Sequence, residues 1–284
     1  MIDEPIQGLS QVADGYDAIL CDVWGVLHNG TDGFMEAADA LTRFRKTGKP
    51  VLLLTNAPRP SAPVVVQLAS LGIGDGAFDG VVSSGDVVRD HMLANGFRKV
   101  LHIGPERDVP LFSGTDIALA EGVEGVDAVV LTDQRSDDHT PDAYREELAA
   151  LVGAGVPVIC ANPDVVVDRG GHIQYCGGAL AAIFEEAGGT AMQFGKPHAP
   201  IYQLAQSRLA GLGVPESGRI LMVGDGLPTD ITGANRQGLD VLFITDGIHA
   251  HDLGTPGAPE PAKVRDRLAQ EGLSATHFMP RLVW

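Results

Sequence analysis

The chain has 284 residues, of which 44% are hydrophobic and 20% charged, so it can form one large or two modest domains with a sizeable core. It carries 20 Lys and Arg residues against 37 Asp and Glu residues, a formal net charge of −17. This excess of acid argues against a nucleic-acid polymer or an anionic membrane as a partner, because Lys and Arg bind both. No apolar run has the length that a transmembrane helix needs.

The first residues and the cysteines indicate the compartment. The first 17 residues, MIDEPIQGLSQVADGYD, lack the basic and apolar regions of a signal peptide. The three cysteines, Cys21, Cys160 and Cys176, form no CxxC pair and cannot all be bridged. We therefore expect a cytoplasmic protein with reduced thiols.

Short apolar runs alternate along the chain with amphipathic segments. Apolar runs of about five residues bounded by Gly, Asp or Asn are typical of parallel strands buried on both faces. The predicted strands are residues 18–23, 51–55, 80–83, 100–103, 128–131, 157–161, 220–224 and 241–245. The predicted helices include residues 34–48, 141–155 and 199–213, and a surface loop is predicted at residues 247–263.

This alternation of strand and helix predicts a doubly wound α/β protein with a parallel sheet. No linker divides the chain. The pattern is compatible with one sheet of eight strands or with one α/β domain inserted in another, and composition does not choose between them.

Two carboxylates follow predicted strands that are far apart in sequence, Asp22 and Asp225. Ligands of open α/β sheets bind beyond the carboxyl ends of the strands, where both side chains would lie. Mg²⁺ prefers a few oxygen ligands together with water and substrate phosphate. The pair therefore predicts a magnesium site, although either Asp alone could be a helix cap or a turn residue.

Further residues indicate a phosphate ligand. Thr55 and Asn56 end a predicted strand and offer a hydroxyl and amides to an anion. Lys196, in FGKPHAP, precedes a predicted helix, where its ammonium could neutralise a phosphoryl oxygen. Asp230 follows Asp225 in GDGLPTD and could orient a metal-bound water or the lysine. A solvated surface lysine is the structural alternative for Lys196.

These segments, in this order, resemble the four motifs of the haloacid dehalogenase superfamily. The resemblance is to class IIA, the C2-capped phosphatases related to 4-nitrophenyl, nucleotide and phosphoglycolate phosphatases. It spans residues 16–248, and the segments that carry it are AILCDVWGVLHNG, VLLLTNAPRP, FGKPHAP and LMVGDGLPTDITGA. ICANPD and Gly177-Gly178 resemble parts of the class IIA cap.

The resemblance implies an α/β fold with a Rossmann-like, doubly wound parallel-sheet core and an inserted α/β C2-type cap domain. The core would comprise residues 1–85 and 191–284, and the cap residues 86–190. The resemblance further implies that Asp22 is a nucleophile that forms an aspartyl-phosphate. The resemblance also implies that Mg²⁺ is held by Asp22, the carbonyl of Trp24, Asp225 and Asp230. It implies that the phosphoryl group is bound by Thr55, Asn56 and Lys196.

One position departs from the family's phosphatases. They carry a second Asp two residues after the nucleophile, which protonates the leaving oxygen and later activates water. This chain has Trp24 there, and an indole cannot exchange a proton in that role. General acid–base catalysis is worth about 10²–10⁴-fold, so we expect weakened phosphomonoesterase activity. The metal site can persist, since this position contributes its backbone carbonyl.

Three hypotheses follow from Trp24. In the first, the chain is a phosphatase whose proton transfer comes from elsewhere, with His28 as the nearest titratable group, unless that histidine simply bonds the backbone. Good leaving groups would need no acid. In the second, the reaction is at carbon, as in dehalogenases with an aromatic residue here, although GDGLPTD and the long insert favour phosphoryl transfer. In the third, the chain binds phosphometabolites without turnover and is regulatory.

The expected function is therefore that of a Mg²⁺-dependent phosphatase acting on a small phosphorylated metabolite, such as a sugar phosphate or a nucleotide. Cap residues would select the substrate. The candidates for substrate binding in the cap are Asn162 and Asp164. A homodimer formed through the cap is a further expectation from the resemblance.

Overall fold

The computed structural model describes residues 4–170 and 172–284. Its longer strands form two parallel sheets, not one sheet of eight strands. The strands are β1 Ala18–Cys21, β2 Val51–Thr55, β3 Gly80–Ser83, β4 Lys99–Ile103, β5 Ala118–Ala120, β6 Ala128–Leu131, β7 Val158–Cys160, β8 Val166–Arg169, β9 His172–Tyr175, β10 Ala191–Gln193, β11 Ile220–Gly224, β12 Asp240–Ile244, β13 Gly254–Thr255, β14 Ala258–Pro259 and β15 His277–Met279.

Helices cover both faces of the sheets. The α-helices are α1 Met35–Lys46, α2 Ser61–Ser70, α3 Ser84–Ala94, α4 Arg145–Ala154, α5 Gly177–Glu186, α6 Ala199–Gly211, α7 Thr232–Gln237 and α8 Pro261–Gln270. A single π-helical turn, Leu227–Ile231, precedes α7, and 3₁₀ turns lie at Leu9–Gln11, Ala13–Gly15, Asp75–Ala77, Glu106–Phe112 and Pro141–Tyr144.

The larger sheet has six parallel strands in the order β15-β12-β11-β1-β2-β3. Alternate residues of its strands face opposite sides, as the two-residue period requires. Ile19 and Cys21 pack with α1 and α2, whereas Ala18 and Leu20 pack with α6, α7 and α8. Burial on both faces explains why these strands read as continuous apolar runs.

The smaller sheet has five parallel strands in the order β10-β7-β6-β4-β5, again with a hydrophobic cluster on each face. The hairpin β8–β9 stands apart from it as a two-stranded antiparallel sheet. The smaller sheet is built from the chain between β3 and α6, so its strands are inserted within the sequence of the larger one.

The predicted α/β fold with a Rossmann-like core and an inserted cap is confirmed. The predicted domain limits stay predictions. Residue 86 lies within α3, and β10 of the smaller sheet follows residue 190 directly. In the part of the chain that the structure describes, no helix combines the length and apolar character needed to cross a membrane.

Candidate active site

The site lies at the carboxyl end of the larger sheet, where its central strands β11, β1 and β2 are neighbours. Asp225 follows β11, Asp22 follows β1, and Thr55 ends β2. Parallel register brings these strand ends together, with Cys21 opposite both Val223 and Leu53. The two carboxylates predicted from distant parts of the sequence are therefore adjacent.

Lys196 is held between two carboxylates. Its Nζ lies 2.5 Å from Asp22 Oδ1 and 2.7 Å from Asp230 Oδ1. The lysine is only 2% exposed, and the carboxylates hold its pKa well above the usual range against the effect of burial. Lys196 is therefore a buried, paired lysine and not the solvated surface lysine that the sequence left open. Removing either carboxylate would leave an uncompensated buried charge.

Backbone packing holds the Asp225 carboxylate against the nucleophile loop. Ile248 N donates to Asp225 Oδ2 at 2.8 Å. A Cβ on Gly25 would lie 2.3 Å from this oxygen, and one on Gly247 would lie 2.0 Å from it. Gly25 also has a φ of +83°, which a side chain would strain. Both positions therefore need glycine to let the backbone approach the carboxylate.

Asp22, Asp225 and Asp230 form a group in which one oxygen from each lies within 4.8 Å of the others. Burial and the Asp230 carboxylate raise the pKa of Asp22 well above its usual range, although Lys196 acts to lower it. Burial and Asp230 likewise raise the pKa of Asp225 to about 7. One ammonium does not balance three buried carboxylates, so this donor set fits a divalent cation with oxygen ligands.

Thr55 and Asn56 have different roles in the geometry. Thr55 Oγ1 accepts from Ala57 N at 3.2 Å, and the residue lines the cavity beside Asp22. The Asn56 side chain instead holds Lys196: its Oδ1 accepts from Lys196 N at 2.7 Å, and its Nδ2 donates to Lys196 O at 3.0 Å. Asn56 thereby positions the lysine, a function that the sequence motif does not reveal.

Trp24 connects the nucleophile loop to the β8–β9 hairpin. Its Nε1 donates to the carbonyl oxygen of Asp168 in β8 at 2.7 Å. Its ring meets that of His28 edge to face, with 4.9 Å between centroids. A Cβ on Gly30 would lie 2.6 Å from the indole. The position that carries an acid in related phosphatases is thus occupied by a packed, hydrogen-bonded indole.

His28 is buried beneath this indole. Its Nδ1 accepts from Gly30 N at 2.9 Å. Burial, aided by the positive charge of Arg59, lowers the pKa of His28 to about 4. The imidazole is therefore neutral at pH 7, with its proton on Nε2. The backbone-bonded histidine considered from the sequence is the arrangement found, and the catalytic role predicted for His28 stays a prediction.

Asn162 and Asp164 lie differently with respect to the carboxylates. Asp164 Oδ1 accepts from Asn56 Nδ2 at 2.9 Å and lines the cavity that contains Asp22. Asn162 Nδ2 donates to Asp133 Oδ1 at 3.2 Å and lines a second cavity. The structure thus brings Asp164, but not Asn162, to the wall that Asp22 shares.

The catalytic cavity, as we call the space above Asp22, has a volume of about 300 Å³. Its walls include β8, with Val166, Val167 and Asp168. They also include residues 246–249, a turn that leads into the predicted surface loop and whose contact with the cavity the sequence did not indicate. The signal available in the sequence was Gly247 after the strand β12, which permits the close approach to Asp225.

Three aspartates and a buried lysine gathered at the carboxyl ends of parallel strands are typical of the active site of an α/β enzyme. Comparisons with known proteins agree. Residues 19–118 match the family described as haloacid dehalogenase-like hydrolase, and residues 193–270 match a HAD-hydrolase-like family. A solved structure from Brucella suis 1330, a hydrolase of the haloacid dehalogenase-like family, is 42% identical over 98% of this chain and 100% of its own, with a TM-score of 0.86.

Two more distant relatives carry functional names. The 5′-nucleotidase YutF of Bacillus subtilis (strain 168) is 25% identical over 267 residues, covering 90% of this chain and 97% of its own. The glycerol phosphate phosphatase of Mycobacterium tuberculosis, solved in complex with calcium, is 26% identical, with 84% of this chain and 68% of its own covered and a TM-score of 0.64.

The chain belongs to the haloacid dehalogenase-like hydrolase family, and within it to the class IIA group that the motifs indicated. It is therefore an enzyme of the hydrolase class. The sequence-based recognition of the family is confirmed.

Proposed function

We propose that this protein is a Mg²⁺-dependent phosphatase that hydrolyses a small phosphorylated metabolite through an aspartyl-phosphate on Asp22. The observation that carries the proposal is the buried Lys196 ammonium between Asp22 and Asp230. An oxygen of Asp225 lies within 4.8 Å of one from each of these two carboxylates, at the sheet end where Thr55 also lies. This arrangement combines a carboxylate nucleophile with fixed positive charge for a phosphoryl group.

The proposed reaction has two displacements at phosphorus. In the first, Asp22 attacks, a carboxylate oxygen–phosphorus bond forms, and the bond to the leaving oxygen breaks; that oxygen takes up a proton. In the second, water attacks the phosphoryl group, loses a proton, and releases phosphate and the free Asp22 carboxylate. Lys196 neutralises phosphoryl oxygens in both steps, and the Thr55 hydroxyl and the backbone N–H of Asn56 bind them.

A divalent cation at this site would be held by Asp22, the Trp24 carbonyl, Asp225 and Asp230. When bound, it supplies positive charge that draws the phosphoryl oxygens toward Asp22 and lowers the charge repulsion between them. The buried excess of carboxylates supports this assignment, and so does the calcium named with the glycerol phosphate phosphatase relative.

The names of the relatives support a small phosphorylated substrate. They act, by name, on 5′-nucleotides and on glycerol phosphate. We propose that residues 86–190, with β10 completing the smaller sheet, form the cap, and that β8 and Asp164 contact the leaving group, because they line the catalytic cavity together with Asp22. The role of Asn162 in substrate binding, a cytoplasmic location and a homodimer remain predictions from the sequence.

A phosphometabolite-binding protein is the second candidate, and Trp24 favours it. The indole gives no proton to a leaving oxygen, and His28 is neutral and bonded to the backbone. Without an acid, the enzyme would still hydrolyse substrates with good leaving groups. A reaction at carbon remains the third and least supported hypothesis, since it would not need the three carboxylates.

The test is Mg²⁺-dependent phosphate release from acetyl phosphate and 4-nitrophenyl phosphate, beside a panel of metabolite phosphates. We expect acetyl phosphate to be hydrolysed, with the rate falling as the leaving group becomes more basic. Absence of turnover across the panel, with Mg²⁺ binding confirmed by calorimetry, would overturn the phosphatase proposal in favour of a binding protein.

A further inference from the structure

A second cavity, which we call the arginine cavity, adjoins the catalytic cavity. Its volume is about 280 Å³. Trp24, Thr55, Asp164 and Val167 line both cavities, so the two spaces meet at the nucleophile loop, the end of β2 and the β8 strand. A substrate with its phosphoryl group at Asp22 could therefore extend its leaving group past these residues into the second space.

Three guanidinium groups line the arginine cavity, and they come from three separate segments. Arg59 follows β2, Arg107 lies in the turn after β4, and Arg169 ends β8. The chain has only 20 basic residues and a net charge of −17, so three guanidinium groups lining one cavity stand out from its acidic composition. The elements of both sheets thus contribute positive charge to one space beside the phosphoryl site.

Arg59 is the least satisfied of the three. Its Nε is buried without a hydrogen-bond partner and lies 3.8 Å from Asp108 Oδ1, while its Nη2 donates to Gln67 Oε1 at 2.9 Å. Burial lowers its pKa, and the positive charges of Arg107 and Arg169 contribute in the same direction. A guanidinium has five N–H donors, so Arg59 has capacity for a ligand.

Carboxylates also line this cavity, and the three guanidiniums pair with them unequally. Asp108 and Asp133 line the cavity with Asp164, and Arg107 lies 3.4 Å from Asp133 and 2.8 Å from Asp137. Asp137 is shared, because Arg169 Nη1 lies 3.7 Å from it. Burial and the Asp108 carboxylate raise the pKa of Asp133 to about 7, so Asp133 supplies only part of a negative charge near neutrality.

We infer that the arginine cavity binds a second anionic group, a carboxylate or a second phosphate, on the leaving group of the substrate. Guanidinium groups bind these two anions with paired hydrogen bonds, and a partly buried cavity strengthens each of them. The inference rests on the proposed phosphatase function and narrows its substrate class. Phosphomonoesters that carry a further anion, rather than neutral polyol phosphates, are the substrates this geometry fits.

The test compares substrates that differ in this one group. 3-Phosphoglycerate and glycerol 3-phosphate differ by a carboxylate in place of a hydroxymethyl group, and fructose 1,6-bisphosphate and fructose 6-phosphate differ by a second phosphate. In at least one pair, we expect kcat/KM to favour the member with the second anionic group by about tenfold, which corresponds to about 1.4 kcal/mol. The pair that shows the preference identifies the carboxylate or the phosphate as the bound group.

Variants of the cavity then test whether its arginines cause this preference in kcat/KM. Arg59→Met and, as a second site from the other sheet, Arg107→Met should reduce the ratio of kcat/KM within the preferred pair toward 1. Arg145→Gln is the matched control, since this exposed arginine pairs with Asp142 and Glu186 outside the cavity and should leave the ratio unchanged. Equal kcat/KM within both pairs for the unmodified enzyme, or equal losses on both members in the variants, would overturn the inference.

A binding measurement distinguishes a failure of this inference from a failure of the proposed function. Calorimetric titration of the Asp22→Asn variant with the same ligand pairs needs no turnover, and we expect about tenfold tighter binding of the member with the second anionic group. A binding preference with no hydrolysis would contradict the phosphatase proposal and support the arginine cavity. Hydrolysis with no preference in rate or in binding would support the phosphatase proposal and contradict the inference about the arginine cavity.

Discussion

The two cavities that meet at Trp24 have nearly equal volumes, about 300 and 280 Å³, but different charged groups. The catalytic cavity lies over three carboxylates and one buried lysine at the carboxyl end of the larger sheet. The arginine cavity has three guanidiniums, from loops and from β8, beside three carboxylates. One cavity has the ligands of a cation, and the other adds guanidinium donors that can bind an anion.

The difference separates reaction from recognition. A strand end is fixed by the sheet, so residues there are suited to holding reacting atoms in place. Loop and hairpin residues can be substituted without disturbing the core, so they are suited to selecting a leaving group. Trp24, tied to the Asp168 carbonyl, forms part of the wall of both cavities. Four predictions test the catalytic cavity first, then Trp24 and the histidine that packs against it.

The largest effect is expected from removal of the nucleophile. Asp22→Asn should lower kcat on acetyl phosphate by on the order of 10⁴-fold or more, because the amide cannot form the aspartyl-phosphate. Steady-state phosphate release checks this. Asp39→Asn, at an exposed carboxylate paired with Arg43, is the control and should retain activity. Retained turnover in Asp22→Asn would refute the nucleophile assignment.

The next effect is that of metal removal. Chelation with EDTA should suppress activity, and added Mg²⁺ should restore it, since the carboxylates otherwise repel one another and the phosphoryl group. Mg²⁺ at 100 times its Kd should also raise the free energy of unfolding by about 2.7 kcal/mol. Asp225→Asn should reduce this stabilisation in thermal melts. Activity indifferent to EDTA would instead favour the dehalogenase-like reaction.

The wall is tested at Trp24. Trp24→Asp should raise kcat on alkyl phosphates relative to acetyl phosphate by up to about 10²-fold, because it supplies the missing acid. Trp24→Phe keeps an aromatic ring but loses the bond to the Asp168 carbonyl, and it should cost about 1 kcal/mol of stability without changing that ratio. If Trp24→Asp brings no gain on alkyl phosphates, another group already supplies the proton.

The last effect concerns the pH dependence of stability at His28. Its pKa is lowered to about 4 in the folded state, so the unfolded chain binds the proton more tightly. Stability from this group is complete above the unfolded pKa of about 6.5 and is lost as pH falls toward 4, by up to about 1.4 kcal/mol per pH unit.

His28→Asn should therefore flatten the loss of unfolding free energy between these pH values, because Asn can still accept from Gly30 N but has no charge to gain. Chemical denaturation at a series of pH values measures this. The exposed His251→Asn is the control and should leave the slope unchanged. An unchanged slope in His28→Asn would show that His28 titrates normally in the folded protein.

Much of the fold could be read from the sequence, because parallel strands buried on both faces leave continuous apolar runs. The predictions at residues 51–55, 80–83, 128–131 and 220–224 match β2, β3, β6 and β11 in full. Short exposed strands such as those of the β8–β9 hairpin lack this signal. Their residues are partly or fully exposed, so no continuous apolar run marks them.

The residues of the site also differ in whether the sequence predicts them. Asp22 and Asp225 were predictable because each follows a buried strand, and the sheet order then makes them neighbours. The bond from Trp24 to the Asp168 carbonyl joins residues 144 positions apart and involves a backbone atom, so no side-chain motif announces it. Arg59, Arg107 and Arg169 likewise meet only through the arrangement of the two sheets.

The most direct test of the central claim is to trap the covalent intermediate. The enzyme with Mg²⁺ is mixed with acetyl phosphate, quenched in acid within a turnover, and digested for mass spectrometry. We predict one added phosphoryl group on the peptide that contains Asp22, and none in Asp22→Asn. Rapid turnover with no phosphoryl group on that peptide, or with the group on another residue, would contradict the account.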